Sequence, residues 1–412
     1  MHDLLRRAFQ RAAVAALLGV CLCVGYGRDV SAASLTGLGR LTTTQPPFSA
    51  APRSRAYSVS ADGSVAVGES SSISDASVYG EEAFRWTPDG GGMVGLGILP
   101  GGYHASSARS VSGDASVVVG SGINSTFDRE AFRWTADGGM AGLGVLPGGY
   151  STSAAHGVSA DGSVIVGESS VSFTSEAFRW TSGGGMVGLG DLPGGDFASA
   201  AAAVSADGSV VVGYGRSASG IEAFRWTVEG GMVGLGDLPG GDFASAAWAI
   251  SADGSVVVGQ GSIPLGWTQA FRWTSGDGMV GLGDLPGGNP DSMARGVSGD
   301  GSVVVGQSNS TGGYEAFIWD EGHGMRSLAD VLSSDYGVDL TYWDLTDATA
   351  ISSDGSSIVG VGVHELVDEA GSHSWVEEAW IAVVPEPSTV VLFGAGLVAL
   401  AATRRRRVVQ GA

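Results

Sequence analysis

The sequence predicts an all-β fold: a seven-bladed β-propeller of four-stranded antiparallel blades, closed by an N-terminal strand that completes the last blade. Three observations lead there. One unit recurs seven times, with interior spacings of 46 to 48 residues between its marker residues. Each copy holds four short runs of strand-forming residues separated by glycine-rich turns. The run that the last copy lacks stands before the first copy. Repeats are sought first, because a missed period misassigns the whole fold.

The markers are plain. An Asp-Gly-Ser or Asp-Ala-Ser corner places its aspartate at Asp62, Asp114, Asp161, Asp207, Asp253, Asp300 and Asp354. An A-F-R-W run places its aromatic at Phe84, Phe132, Phe178, Phe224, Phe271, Phe317 and, degenerate, Trp380. Within one unit the first strand is expected at Ala246–Ser251 and the second, a β-branched run, at Ser255–Gly259. The third is A-F-R-W-T and the fourth M-V-G-L-G-D-L. An Asp-Gly pair between two such runs predicts a type I′ hairpin turn, which needs positive φ at both central residues. No stretch of about twelve residues has a 3.6-residue period, so helix is expected to be scarce.

Four antiparallel strands in about 46 residues is one propeller blade. A single blade offers too few large apolar residues to fold alone, so each must gain its stability from its neighbours. Valine runs without polar alternation fit strands covered on both faces. Leu35–Leu41 (L-T-G-L-G-R-L) matches the fourth strand, whereas the seventh copy ends after three strands at Ala379–Val383. Pairing the two closes the ring and removes exposed edges. An open β-solenoid, the competing architecture, would call for capping units instead.

The rest of the chain is tails. Residues 1–32 read as a signal peptide: Arg6, Arg7 and Arg11, the apolar Ala12–Val24, then Val30-Ser31-Ala32 for cleavage. Both cysteines, Cys21 and Cys23, lie inside it, so the mature chain carries no disulfide or thiolate metal site. Residues 33–384 form the propeller. Residues 385–412 follow as a tail of P-E-P, the apolar run Val390–Ala402 and the cluster Arg404–Arg407: a non-helical hinge, a short membrane-inserting helix and a positive stop.

Charge excludes one class of partner. The chain has no lysine, and eight of its 21 arginines sit in the two tails. Without those eight, and without Asp3 and Asp29, 13 arginines face 40 acids, a net charge near −27. Such a surface argues against nucleic acid as a partner.

Candidate sites are few. Loop expansions at Thr42–Arg55, Glu69–Glu81, Ser333–Asp347 and Val361–Glu377 should gather on one face, where blades 1 and 7 meet, and rigid scaffolds place binding on such loops. The candidate ligand corner is Tyr79, Tyr342, Trp343, His364, Glu365, His373 and Trp375. His364, Glu365, Asp368, Glu369 and His373 match no zinc or calcium spacing, so no metal or other cofactor is expected. Asp191/Asp196 and Asp237/Asp242 flank P-G-G turns and read as turn residues. The repeated Arg85, Arg133, Arg179, Arg225 and Arg272, most preceded three residues earlier by a glutamate, read as a structural ion-pair or hydrogen-bond ladder. Catalysis would need one asymmetric constellation. No G-x-S-x-G, P-loop or H-E-x-x-H is present, and an enzyme is not expected.

Two resemblances add to this. The units E-A-F-R-W-T and G-L-G-D-L-P-G-G, over about Leu35 to Val384, resemble the HAF family of bacterial extracellular repeats. From Val384 onward the chain closely resembles the PEP-CTERM sorting signal of Gram-negative bacteria. That resemblance implies recognition at Pro385, Glu386 and Pro387, with Arg404, Arg405, Arg406 and Arg407 as the stop, by an exosortase-type membrane enzyme. It further implies transient anchoring in the inner membrane and delivery to the cell surface or an exopolysaccharide matrix. The expected role is a non-catalytic structural or binding module, carbohydrate-associated; the alternative is a glycan-acting propeller hydrolase or lyase.

Overall fold

The structure, a computed structural model, describes residues 32–42, 52–73, 79–88, 91–148, 152–171, 174–367 and 373–385. The signal segment, Glu386, Pro387, the apolar run and Arg404–Arg407 lie outside the described residues, as does most of the Thr42–Arg55 link. The propeller is as expected. Seven four-stranded sheets each pair consecutive strands, except the last, whose outer strand comes from the N-terminus. In blade 5 the strands are Ser245–Ile250, Val256–Ile263, Trp267–Thr274 and Gly278–Gly281. The fourth is shorter than the sequence suggests. Its L-G-D-L half leaves the ladder, and Leu285 instead buries itself between blades.

No blade has a core of its own. Phe224 of blade 4, fully buried, packs on Val164, Val166 and Ala177 of blade 3, and the other junctions repeat the pattern. A buried serine joins most neighbours. Ser199 Oγ donates to the Gly190 carbonyl at 2.7 Å and accepts the Ala177 N–H at 3.0 Å, tying the first strand of blade 4 to blade 3. Between blades 6 and 7 the equivalent position, opposite Gly362, is Leu345, buried in the junction core. There a helical segment, Leu328–Asp330 continuing through Val331–Asp335, fills the junction with Leu328, Val331 and Leu332.

The ring closes three ways. Ser34–Gly37 pairs antiparallel with His373–Val383, Leu35 facing Ala382 and Gly37 facing Trp380. Leu38, Val359, Ala379 and Ile381 share a core with Ala56 and Phe84 of blade 1. The third closure joins the Asp-Gly-Ser corners. Backbone N–H groups of Ala61, Asp114, Ala160, Ala206, Ala252, Gly299 and Ser353 each donate to the next corner, and Ser353 returns to Ala61 at 3.1 Å.

The corner is not the type I′ turn that the sequence suggests. Gly63 has φ +74°, but Asp62 is not among the positive-φ residues, and Gly63 N–H bonds back to the Ser60 carbonyl at 3.0 Å. This is a type I turn followed by a left-handed glycine. Asp62 Oδ1 holds it, accepting from Ser60 Oγ, Ser64 N–H and Ser64 Oγ. The aspartate is an acceptor for flanking groups rather than a left-handed residue. In blade 2 an alanine, Ala115, takes the left-handed position at φ +59°.

Candidate functional site

The first strand of every blade carries a one-residue bulge facing the axis. The residue left unpaired is Tyr57, Arg109, His156, Ala202, Trp248, Arg295 or Thr349, in blades 1 to 7. A bulge re-aims a side chain. The glycine that ends each V-V-V-G run accommodates it: a Cβ on Gly213 would lie 2.0 Å from the Ala200 carbonyl oxygen. Frame residues are nearly constant between blades, yet this position differs almost every time.

Two further positions vary in the same way. Glu69, Ser121, Glu168, Tyr214, Gln260, Gln307 and Val361 follow the V-V-V-G glycine on the second strand. Glu81, Arg129, Ser175, Ile221, Thr268, Tyr314 and Glu377 lie on the third strand, one residue before the repeated acid position. Members of all three sets line one axial cavity of about 560 Å³, within the roughly 300–1,000 Å³ of small-molecule sites.

Its chemistry is dense. Arg55 forks onto Glu377 at 2.5 and 3.2 Å, which raises the Arg55 pKa. Tyr57 donates to Glu69 at 2.7 Å; burial first, then the Glu69 charge, push the phenol up to about 12. The Arg109 guanidinium lies 4.3 Å above the Tyr57 ring, a cation–π contact, and 4.0 Å from Glu69. His156 Nε2 is 3.6 Å from Glu168, whose pKa it lowers. Arg295 reaches Asp347 at 3.2 Å, yet burial outweighs that cation and holds the Asp347 carboxyl above its ordinary range. Tyr214 meets Trp248 edge-to-face at 5.6 Å. Arg109 Nε, Trp248 Nε1, Arg295 Nε and Asp347 Oδ1 are buried without a protein partner.

The candidate corner assembles separately, mainly on blade 7. Trp343 stacks on His364 with centroids 4.3 Å apart, and His364 Nδ1 faces Glu378 at 3.2 Å. The Tyr342 carbonyl accepts the Glu365 N–H at 2.9 Å, and Glu365 faces His373 Nδ1 at 2.6 Å. Tyr342 and Trp375 are exposed. Tyr79 opens a strand of blade 1 opposite Ile73. Asp368 and Glu369 lie outside the described residues, and no group of three metal-ligating side chains occurs among those described.

The repeated residues have structural work. Of the two forms expected, an ion-pair or a hydrogen-bond ladder, the repeated glutamates take the second and cap the following G-L-G turn. Glu82, Glu130, Glu176 and Glu222 accept the N–H of Gly97, Gly144, Gly190 and Gly236 at 3.0–3.1 Å. Asp191 and Asp237 likewise accept turn N–H groups, from Ala198 and Ala244. The cavity residues were the ones sequence reasoning passed over, although their signal was present as three variable columns inside constant repeats.

At the carboxyl end the fold hands over to the tail. Val384 is buried and donates its N–H to the Ser356 carbonyl at 2.7 Å, and Tyr336 Oη donates to the Pro385 carbonyl at 3.1 Å. A PEP-CTERM protein-sorting motif matches residues 383–407. It implies an exported chain recognised by an exosortase, a membrane sorting enzyme, on its way to the surface of a Gram-negative bacterium. No helix among the described residues is long and apolar enough to cross a membrane.

No curated protein matches the chain. Among solved structures it is similar to the oligogalacturonate lyase of Vibrio parahaemolyticus, at 12% identity and a TM-score of 0.48, over 87% of this chain and 98% of that one. It is also similar to the β-propeller domain of the Trilobed protease from Pyrococcus furiosus, at 9% identity and TM-score 0.45, over 79% and 95%. TolB from Acinetobacter baumannii follows at 13% identity and TM-score 0.42, over 64% of this chain; the chain spans 63% of that protein's length.

Proposed function

We propose that this protein is a non-catalytic binding module: an exosortase-sorted propeller, carried to the cell surface or an exopolysaccharide matrix, that holds a carbohydrate ligand in its axial cavity. One observation carries the reading. Side chains that differ between otherwise near-identical blades converge on that cavity, and an asymmetric site on a symmetric scaffold is what one ligand requires. Each lining carboxylate already faces a neighbouring base, which suits holding a ligand more than turning it over. The tail would be removed during sorting, after transient insertion of Val390–Ala402. Glycan-array binding, set beside turnover of the same sugars, tests the role: binding without bond cleavage is expected. The intact mass in cells with and without the exosortase tests the sorting, since a mature mass that retains Arg404–Arg407 refutes it.

A glycan hydrolase or lyase is the second reading, favoured by His156 beside Glu168 and by a raised Asp347 carboxyl in the same cavity. Environments that push two acids apart are how acid and base roles are divided. Turnover abolished by Asp347→Asn would decide for it.

A further inference from the structure

The starting observation is where the cations are. Five of the 13 arginines between the tails belong to the repeated A-F-R-W position. Of the other eight, Arg55, Arg109 and Arg295 line the axial cavity, and Arg129 stands on the third-strand column beside them. Half of the variable cations of a strongly acidic chain therefore stand at one place. Four acids stand there too: Glu69, Glu168, Asp347 and Glu377. Two arginines are taken up by them, Arg55 by Glu377 and Arg295 by Asp347. Glu69 already accepts the Tyr57 hydroxyl and stands 4.0 Å from Arg109. Arg109, with no carboxylate closer than 4.0 Å, is the cation with most capacity left; its Nε, like that of Arg295, is buried and without a protein partner. Burial holds the Arg129 pKa below its ordinary value; Glu168 nearby favours its charge, and the like charge of Arg109 opposes it less strongly.

The remaining lining chemistry is aromatic and mixed polar. Trp248 presents a ring and an unpartnered indole N–H, held edge-to-face by Tyr214; Asp347 adds an unpartnered acceptor. Free donors and free acceptors together match hydroxyl groups, which are both, and a flat apolar ring matches the C–H face of a sugar. An arginine fork matches a carboxylate. The inner strand of each blade is an edge strand paired on one side only, and its bulge breaks the regular row of N–H and C=O groups that an added peptide strand would need.

We propose that the axial cavity binds a uronic acid unit of an acidic polysaccharide, its ring face on Trp248 and its carboxylate on Arg109. The assignment rests on the cavity-binding reading above and names the ligand class for it. The test is calorimetric titration of the purified full-length protein with oligosaccharides of glucuronic, mannuronic and galacturonic acid. Each is measured beside its methyl ester, which keeps the ring and removes the charge, and beside a neutral glucan and an oligoglutamate peptide. At least one acid form is expected to bind tenfold or more tighter than its ester. Arg109→Gln should shrink that ratio below about twofold, and Trp248→Ala should weaken acid and ester alike. The acid–ester comparison on the unaltered protein stands even if a variant fails to fold. Esters or neutral glucan binding as tightly as the acids would overturn the carboxylate assignment and leave the cavity reading intact. Binding of oligoglutamate in preference to every saccharide, or of no saccharide at all, would overturn both.

Discussion

Removing the Ser54 hydroxyl tests whether the ring is closed as firmly as it is built. Ser54 is fully buried at the junction of blades 7 and 1. Its Oγ donates to the Gly39 carbonyl at 2.7 Å and accepts the Ala379 N–H at 3.0 Å. Ser54→Ala deletes both bonds and leaves only a hydroxyl-sized gap, too small for a bridging water. A buried donor without its acceptor costs about 1–3 kcal/mol, and the lost bond to Gly39 adds about 0.5–1 kcal/mol. The expected loss is therefore about 1.5–4 kcal/mol, read as a fall in urea midpoint at unchanged slope. Ser199→Ala, with the same two bonds inside the ring, should cost the same. Ser64→Ala, at an exposed corner hydroxyl, should stay within about 0.5 kcal/mol. If Ser54→Ala behaves like Ser64→Ala, the seam between the first and last blades is not held as described.

Three further outcomes follow from the same geometry. Ala115→Gly should stabilise by up to about 1 kcal/mol in urea unfolding, because Ala115 occupies a left-handed conformation that glycine adopts freely; part of the gain is lost to the more flexible unfolded chain. Gly213→Ala should cost about 2–3 kcal/mol, since its Cβ would lie 2.0 Å from the Ala200 carbonyl oxygen, and ligand binding should fall with it as the bulge shifts. The corner carboxyls are pulled below their ordinary range: Asp161 to about 2, chiefly by the Ser163 N–H, and Asp114, Asp207, Asp253 and Asp300 chiefly by the hydroxyl two residues earlier. Carboxyls held below their unfolded pKa stabilise the fold above about pH 4 and lose that contribution as pH falls toward their folded values. Thermal unfolding should therefore be flat in this respect above pH 5 and drop between about pH 4 and 2, less steeply in Asp161→Asn.

The repeat period, the strand count and the displaced N-terminal strand were legible because each rests on local chemistry. Gly-rich turns, β-branched runs and an Asp-Gly-Ser corner mean the same thing in every copy. The turn type was misread because Asp-Gly alone does not distinguish a type I′ turn from a type I turn followed by a left-handed glycine. Ser60 and Ser64, which bond to Asp62, decide it. The ladder of repeated glutamates and arginines was half legible: its structural character showed in the repetition, but its partners are turn N–H groups that no spacing rule names.

The site was the least legible part. Tyr57, Arg109, His156, Trp248 and Arg295 stand 47 to 92 residues apart in the chain, each an isolated departure inside a repeated phrase. Read singly they are noise. By itself the sequence determined the unit, the number of units, the means of closure and the carboxyl-terminal sorting motif, because those are set by neighbours along the chain. Only the tertiary structure decided that one bulged residue per blade turns toward a common axis. Ring closure is what brings seven distant positions within reach of one ligand, and no local rule contains that distance.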